Sequence, residues 1–143
     1  MKMKYEIRRR EDGKVALFNE KGKMISPEWF DFIYDSFGLF ANESEYYVAG
    51  KDGKVAIFNK RGKMVSPEWF DDVNEEYGLV RGESNYYIAR KNWKFAIFDK
   101  DGKMISPEWL DWIDTNGLVK GQHRYYVAMK NGEFVIFDKE GNM

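Results

Sequence analysis

The sequence predicts an all-β protein with short helical turns, built as an open array of β-hairpin repeats of about 40 residues. Three observations carry that expectation. Pro27, Pro67 and Pro107 recur at a constant step, and Trp29, Trp69 and Trp109 keep the same step. Each period holds two runs rich in aromatic and β-branched residues, joined by a tight turn. That hairpin occurs four times, whereas the stretch linking one hairpin to the next occurs three times. Four hairpins alternating with three connectors suit an open stack. A closed β-trefoil-like or propeller-like barrel is the alternative, favoured by the length and by four strand-like runs per copy.

Residues 1–11 read as an N-terminal cap strand. Glu6 and the run Arg8-Arg9-Arg10 give it the polar, solvated character of a terminal unit. The repeats then span about 12–51, 52–91 and 92–130, with a partial copy at 131–143, all in one domain over 1–143. Across each repeat boundary runs a strand pair such as Tyr46-Tyr47-Val48-Ala49 and Lys54-Val55-Ala56-Ile57-Phe58, joined through Asp52-Gly53. Asp-Gly favours a type I′ turn, because both central residues need positive φ. The Val-Ala-Ile-Phe run is continuously apolar, so both faces of that strand are expected to be covered.

Asn59-Lys60-Arg61-Gly62 is a polar turn closed by glycine, and Lys63-Met64-Val65 a short third strand. In Ser66-Pro67-Glu68-Trp69-Phe70-Asp71, Ser suits an N-cap, Pro the first helical position and Glu the positive end of the dipole, so a single helical turn is expected. Tyr77-Gly78-Leu79-Val80-Arg81-Gly82 reads as a fourth strand.

Composition narrows the function. The formal net charge is −1 with 33% charged residues, which speaks against nucleic acid as a partner. There is no cysteine, so disulfides, thiolate chemistry and cysteine zinc sites are excluded. No apolar run approaches the roughly 18 residues of a membrane helix, and a cytoplasmic location without membrane contact is the expectation.

Candidate chemistry is sparse. Glu28 with Asp31, Glu68 with Asp71 and Asp72, and Glu108 with Asp111 and Asp114 repeat once per copy. That suits charges at helix starts better than the carboxylate pair of a glycosidase. Asp99-Lys100-Asp101-Gly102 lacks the later ligands of a calcium loop. His123 is the only imidazole and reads as a solvated loop residue. No catalytic residue, cofactor or metal ligand is therefore assigned.

Aromatics make up 17% of the chain. Trp29, Trp69 and Trp109 occur in every full copy and read as repeat core; a ladder for sugar rings or proline-rich peptide is the other use of such spacing. Positions shared by all copies are explained by packing, and positions that differ are where an individual function can sit. Trp93 replaces the turn glycine of the other hairpins, and Trp112 stands where the other copies have Phe32 and Asp72. These two tryptophans are the candidate partner contact.

The unit resembles the bacterial WG-repeat family over residues 12–141. The resemblance rests on Gly22-Lys23, Gly62-Lys63 and Gly102-Lys103, on the three prolines, on Trp29-Phe30-Asp31, Trp69-Phe70-Asp71 and Trp109-Leu110-Asp111, and on Gly38-Leu39, Gly78-Leu79 and Gly117-Leu118. Val15-Ala16, Val55-Ala56, Phe95-Ala96 and Phe134-Val135 stand where that family's Trp-Gly would be. The resemblance implies a non-enzymatic, β-rich module for protein or peptide interaction. Carbohydrate binding through aromatic side chains and self-association are the alternatives, the latter as a homodimer formed through the terminal strand edge near Phe134–Phe137.

Overall fold

A computed structural model describes residues 4–143. Four antiparallel sheets follow one another along the chain, and none closes on itself. The first pairs β1 (Tyr5–Arg9) with β2 (Val15–Asn19). The second has the order β3 (Phe32–Ile33), β4 (Tyr46–Lys51), β5 (Lys54–Asn59), and the third the order β6 (Asp72–Val73), β7 (Tyr86–Lys91), β8 (Lys94–Asp99). The fourth contains β9 (Trp112–Ile113), β10 (Tyr125–Lys130) and β11 (Glu133–Asp138), with β10 central. The array is thus all-β and open, as the repeat count predicts.

The hairpin turns form as their sequence requires. Asp52 and Gly53 take φ of 53° and 78°, and Asn131 and Gly132 take 52° and 80°. The left-handed region at both central positions matches the right-handed twist of the flanking strands. In the polar turns one side chain closes the loop: Asn59 Oδ1 accepts the backbone N–H groups of Arg61 at 2.9 Å and Lys63 at 3.1 Å.

The connectors differ from expectation in three ways. Residues 66–71 form no helical turn, nor do 26–31 or 106–111. A turn this short gains too few internal hydrogen bonds to persist, and its polar groups are used across the array instead. Ser66 is buried, and its Oγ accepts the N–H of Ile57 at 3.2 Å. The third strand at 63–65 shrinks to one bridge, Met64 to Phe58. The expected Gly-Leu strand is a compact turn, with a 3-10 helix over Gly38–Ala41 in the first copy. Gly78 at φ 91° opens that turn in the second copy, and its N–H donates to Glu83 Oε1 at 2.8 Å.

Each connector joins two sheets through neighbouring residues. Phe70 exchanges both backbone hydrogen bonds with Val55 at 2.8 Å, and Asp71 N–H then donates to Arg90 C=O of the next hairpin at 2.9 Å. Ring packing follows the same path. Phe58 lies 5.0 Å from Phe30, 5.8 Å from Tyr47 and 5.8 Å from Trp69. Phe98 repeats this with Phe70, Tyr87 and Trp109. The three connector tryptophans are half-buried; Trp69 and Trp109 pack against this core, and Trp29 lies 6.0 Å from Phe18. Each such aromatic pair contributes about 0.5–1.5 kcal/mol beyond the area it buries.

The N-terminal end is sealed by cations. Arg8 lies over the Phe18 ring at 4.4 Å and Arg10 over Trp29 at 4.8 Å. The arginine run is therefore a cover for aromatic surface as well as a solvated strand.

Candidate functional site

All three connectors contribute to a groove on the face that carries β3, β6 and β9. The residue opening each of these strands opposes one position of the following hairpin: Phe32 opposite Gly50, Asp72 opposite Arg90, and Trp112 opposite Met129. No two of these pairs have the same chemistry. A groove of about 500 Å³ lies here, lined by Tyr34, Asp72, Glu75, Arg90, Phe95 and Trp112 among others.

The groove gathers positions at which the copies diverge. Tyr34 corresponds to Asn74 and Asp114, and Glu75 to Asp35 and Thr115. Arg90 replaces Gly50 and Met129. The shared positions, by contrast, are the buried Ser, Phe or Leu, and Tyr of the core.

Its electrostatics are unusual for so neutral a chain. Burial, reinforced by the charges of Asp72, Glu76 and Asp35, raises the Glu75 carboxyl to about 7. The Tyr34 hydroxyl is pushed up by burial, then by Asp72 and Glu75. Glu75 is thus a desolvated carboxylate among like charges, a position that a cation relieves.

The two tryptophans singled out by the copy comparison stand at different places. Trp112 lines the groove, is 41% exposed, and packs edge-on to Phe134 at 6.2 Å. Trp93 is 80% exposed at the tip of the β7–β8 hairpin and does not line the groove. Arg90 links them in part: it lines the groove, and its guanidinium sits 4.8 Å from the Trp93 ring centre. Trp93 has φ 65°, a left-handed conformation that side chains with a Cβ rarely adopt.

Tyr34, Glu75 and Arg90 escaped sequence reasoning. The usable signal was present, since all three are positions where copies otherwise alike part company.

The repeated carboxylates do structural work, though not at helix starts. Asp31, Asp71 and Asp111 pair with Lys14, Lys54 and Lys94. Glu28, Glu68 and Glu108 take the ammonium groups of Lys51, Lys91 and Lys130 at 2.6–2.7 Å. Asp99 Oδ1 accepts the N–H groups of Asp101 and Lys103, a turn closure rather than an ion site. His123 is exposed, and its Nδ1 accepts the N–H of Tyr125 at 3.2 Å. Among the described residues no group of three or more His, Cys, Asp or Glu is placed to hold a metal ion, and no helix is long and apolar enough to cross a membrane.

No protein-family model matches this chain, and no curated protein matches it.

Proposed function

We propose that this chain is a non-enzymatic recognition module that binds a protein or peptide segment carrying a basic side chain, with the groove lined by residues of all three connectors as its site. The observation that carries this reading is the convergence of divergent positions. Residues that the packing of every copy requires lie in the core, while Tyr34, Asp72, Glu75, Arg90 and Trp112, which it does not require, meet in one groove. Aromatic walls with a desolvated carboxylate suit a lysine or arginine side chain, whose stem packs on the rings and whose charge meets Glu75. Arg90, which also lines the groove, suits an acidic or aromatic residue next to that basic one. The exposed Trp93 extends the apolar surface past the rim. The resemblance of the repeat to WG modules supports a role in interaction.

Selection from a random peptide library on the immobilised 143-residue chain, alongside a glycan array, tests the reading. Retained peptides are expected to carry Lys or Arg next to an apolar residue, and Trp112→Ala and Glu75→Gln are each expected to lose them. Peptides held equally by both variants, or retention of glycans alone, would overturn it.

A further inference from the structure

Asp72, Glu75 and Glu76 all line the groove. Glu68 and Asp71, in the same connector, each hold a lysine ammonium. The three groove carboxylates hold none, and no group donates a hydrogen bond to them among the described residues. Arg90 lines the groove as well and stands opposite Asp72 on the β6–β7 ladder. It makes no salt bridge with Asp72; its guanidinium lies over the Trp93 ring instead. Three carboxylates against one guanidinium make the groove acidic, in a chain whose net charge is only −1. Tyr34 and Trp112 add aromatic wall to it.

Elsewhere in the array, an arginine and a lysine occupy one and the same kind of slot, a ring beside a carboxylate. Arg81 reaches back to the first connector. Its guanidinium lies 4.7 Å from the Phe37 ring centre, and its Nε donates to Glu43 Oε2 at 2.7 Å. Its Nη1 also donates to the Glu76 C=O at 3.2 Å. One copy later, Lys120 takes the place of Arg81, Tyr77 that of Phe37 and Glu83 that of Glu43. The Lys120 ammonium lies 4.3 Å from the Tyr77 ring centre, but it donates to Asn116 Oδ1 at 2.9 Å and not to Glu83.

The physical difference is one of shape. A guanidinium is planar, so its face stacks on a ring while its edge donates to carboxylate oxygens. An ammonium is a compact point charge without such a face and edge, and in this array it meets the ring alone. A groove with aromatic walls and several carboxylates lacking donors matches the first cation better than the second.

We infer that the groove selects arginine over lysine: the ligand's guanidinium stacks on an aromatic wall, and its edge donates to the free oxygens of Asp72 and Glu75. This inference rests on the proposed binding of a basic side chain and adds which one it is.

The test uses three short alanine-based synthetic peptides that differ at one position, which holds arginine, lysine or norleucine and is followed by phenylalanine. Each is titrated at low salt into the isotope-labelled 143-residue chain, and the indole N–H resonance of Trp112, assigned with Trp112→Phe, is the reporter. The arginine peptide is expected to shift that resonance and to bind about tenfold more tightly than the lysine peptide, and the norleucine peptide is expected not to bind. Asp72→Asn, whose circular dichroism should match the parent because the side chain has no partner, is expected to cut the arginine preference to about threefold or less. Glu75→Gln is expected to lose the arginine peptide. Equal binding of the arginine and lysine peptides, both above norleucine, overturns the inference and leaves the proposed function standing. Binding of none of the three, or of all three alike, overturns both. An arginine preference that both variants leave intact, or that shifts other indoles and not that of Trp112, overturns the inference by placing the guanidinium elsewhere.

Discussion

Asp71 Oδ2 accepts the backbone N–H of Asn92 at 2.8 Å. The other carboxylate oxygen of Asp71 pairs with the Lys54 ammonium. One side chain in a connector thus ties the strand edge of one hairpin to the turn of the next. Asp31 does the same between Lys14 and Asp52, and Asp111 between Lys94 and Asn131.

Removing this clamp should loosen the array in a pH-dependent way. The Lys54 hydrogen bond, then that from Asn92, holds the Asp71 carboxyl below its ordinary value of 3.8. A depressed carboxyl contributes stability that is present above the unfolded value and disappears as pH falls through the folded one. Asp71→Ala should therefore melt a few degrees lower than the parent at neutral pH. In thermal melts the gap should narrow as pH falls below the ordinary carboxylate range, because the carboxylate whose charge favours the fold is then progressively protonated.

Glu75 has the opposite sign. Its carboxyl titrates at about 7 in the fold against an ordinary 4.5, so ionising it destabilises the protein as pH rises through that window. Glu75→Gln should gain about 1 kcal/mol at pH 8, a figure discounted for the partial exposure of the site, and nothing at about pH 4. Urea titrations at the two pH values measure the difference.

The three fully buried tyrosines carry a recurring cost. Tyr47, Tyr87 and Tyr126 stack on Phe58, Phe98 and Phe137, yet none of their hydroxyls has a hydrogen-bond partner. Burial pushes these hydroxyls far up in pKa. Tyr87→Phe keeps the stack and removes the unpaired group, so chemical denaturation should show a gain of about 1 kcal/mol.

Trp93 combines exposure with backbone strain. Trp93→Gly relieves about 1 kcal/mol of left-handed strain and gives up about 0.5 kcal/mol of contact with Arg90. A net gain of about 0.5 kcal/mol is expected. Acrylamide quenching should fall sharply in the same variant, because Trp93 is the most exposed of the large apolar side chains within the strand array.

The hairpins were legible because their information is local. Asp52-Gly53 dictates its turn, and Val55 to Phe58 announces burial on both faces. The connectors misled for a physical reason. Ser66, Pro67 and Glu68 carry the preferences of a helix start, but those preferences are weak beside the hydrogen bonds Ser66 and Phe70 make to β5. Leu79 and Val80 look like strand residues, yet they are buried from a turn whose closure depends on Gly78 and Glu83. The groove was legible only as divergence between copies. Tyr34 and Trp112 belong to different connectors, and nothing local to either residue announces that they line one cavity.

The central claim is that each hairpin unit is held in place by its neighbours through bridges such as Val55–Phe70 and clamps such as Asp71–Asn92. The most direct measurement is a far-ultraviolet circular dichroism melt of an excised unit, residues 46–82, beside the 143-residue chain. The expected result is a coil-like spectrum with no cooperative transition for the fragment, and a sigmoidal β-sheet melt for the chain. A cooperative β-sheet melt of the fragment alone would contradict the account.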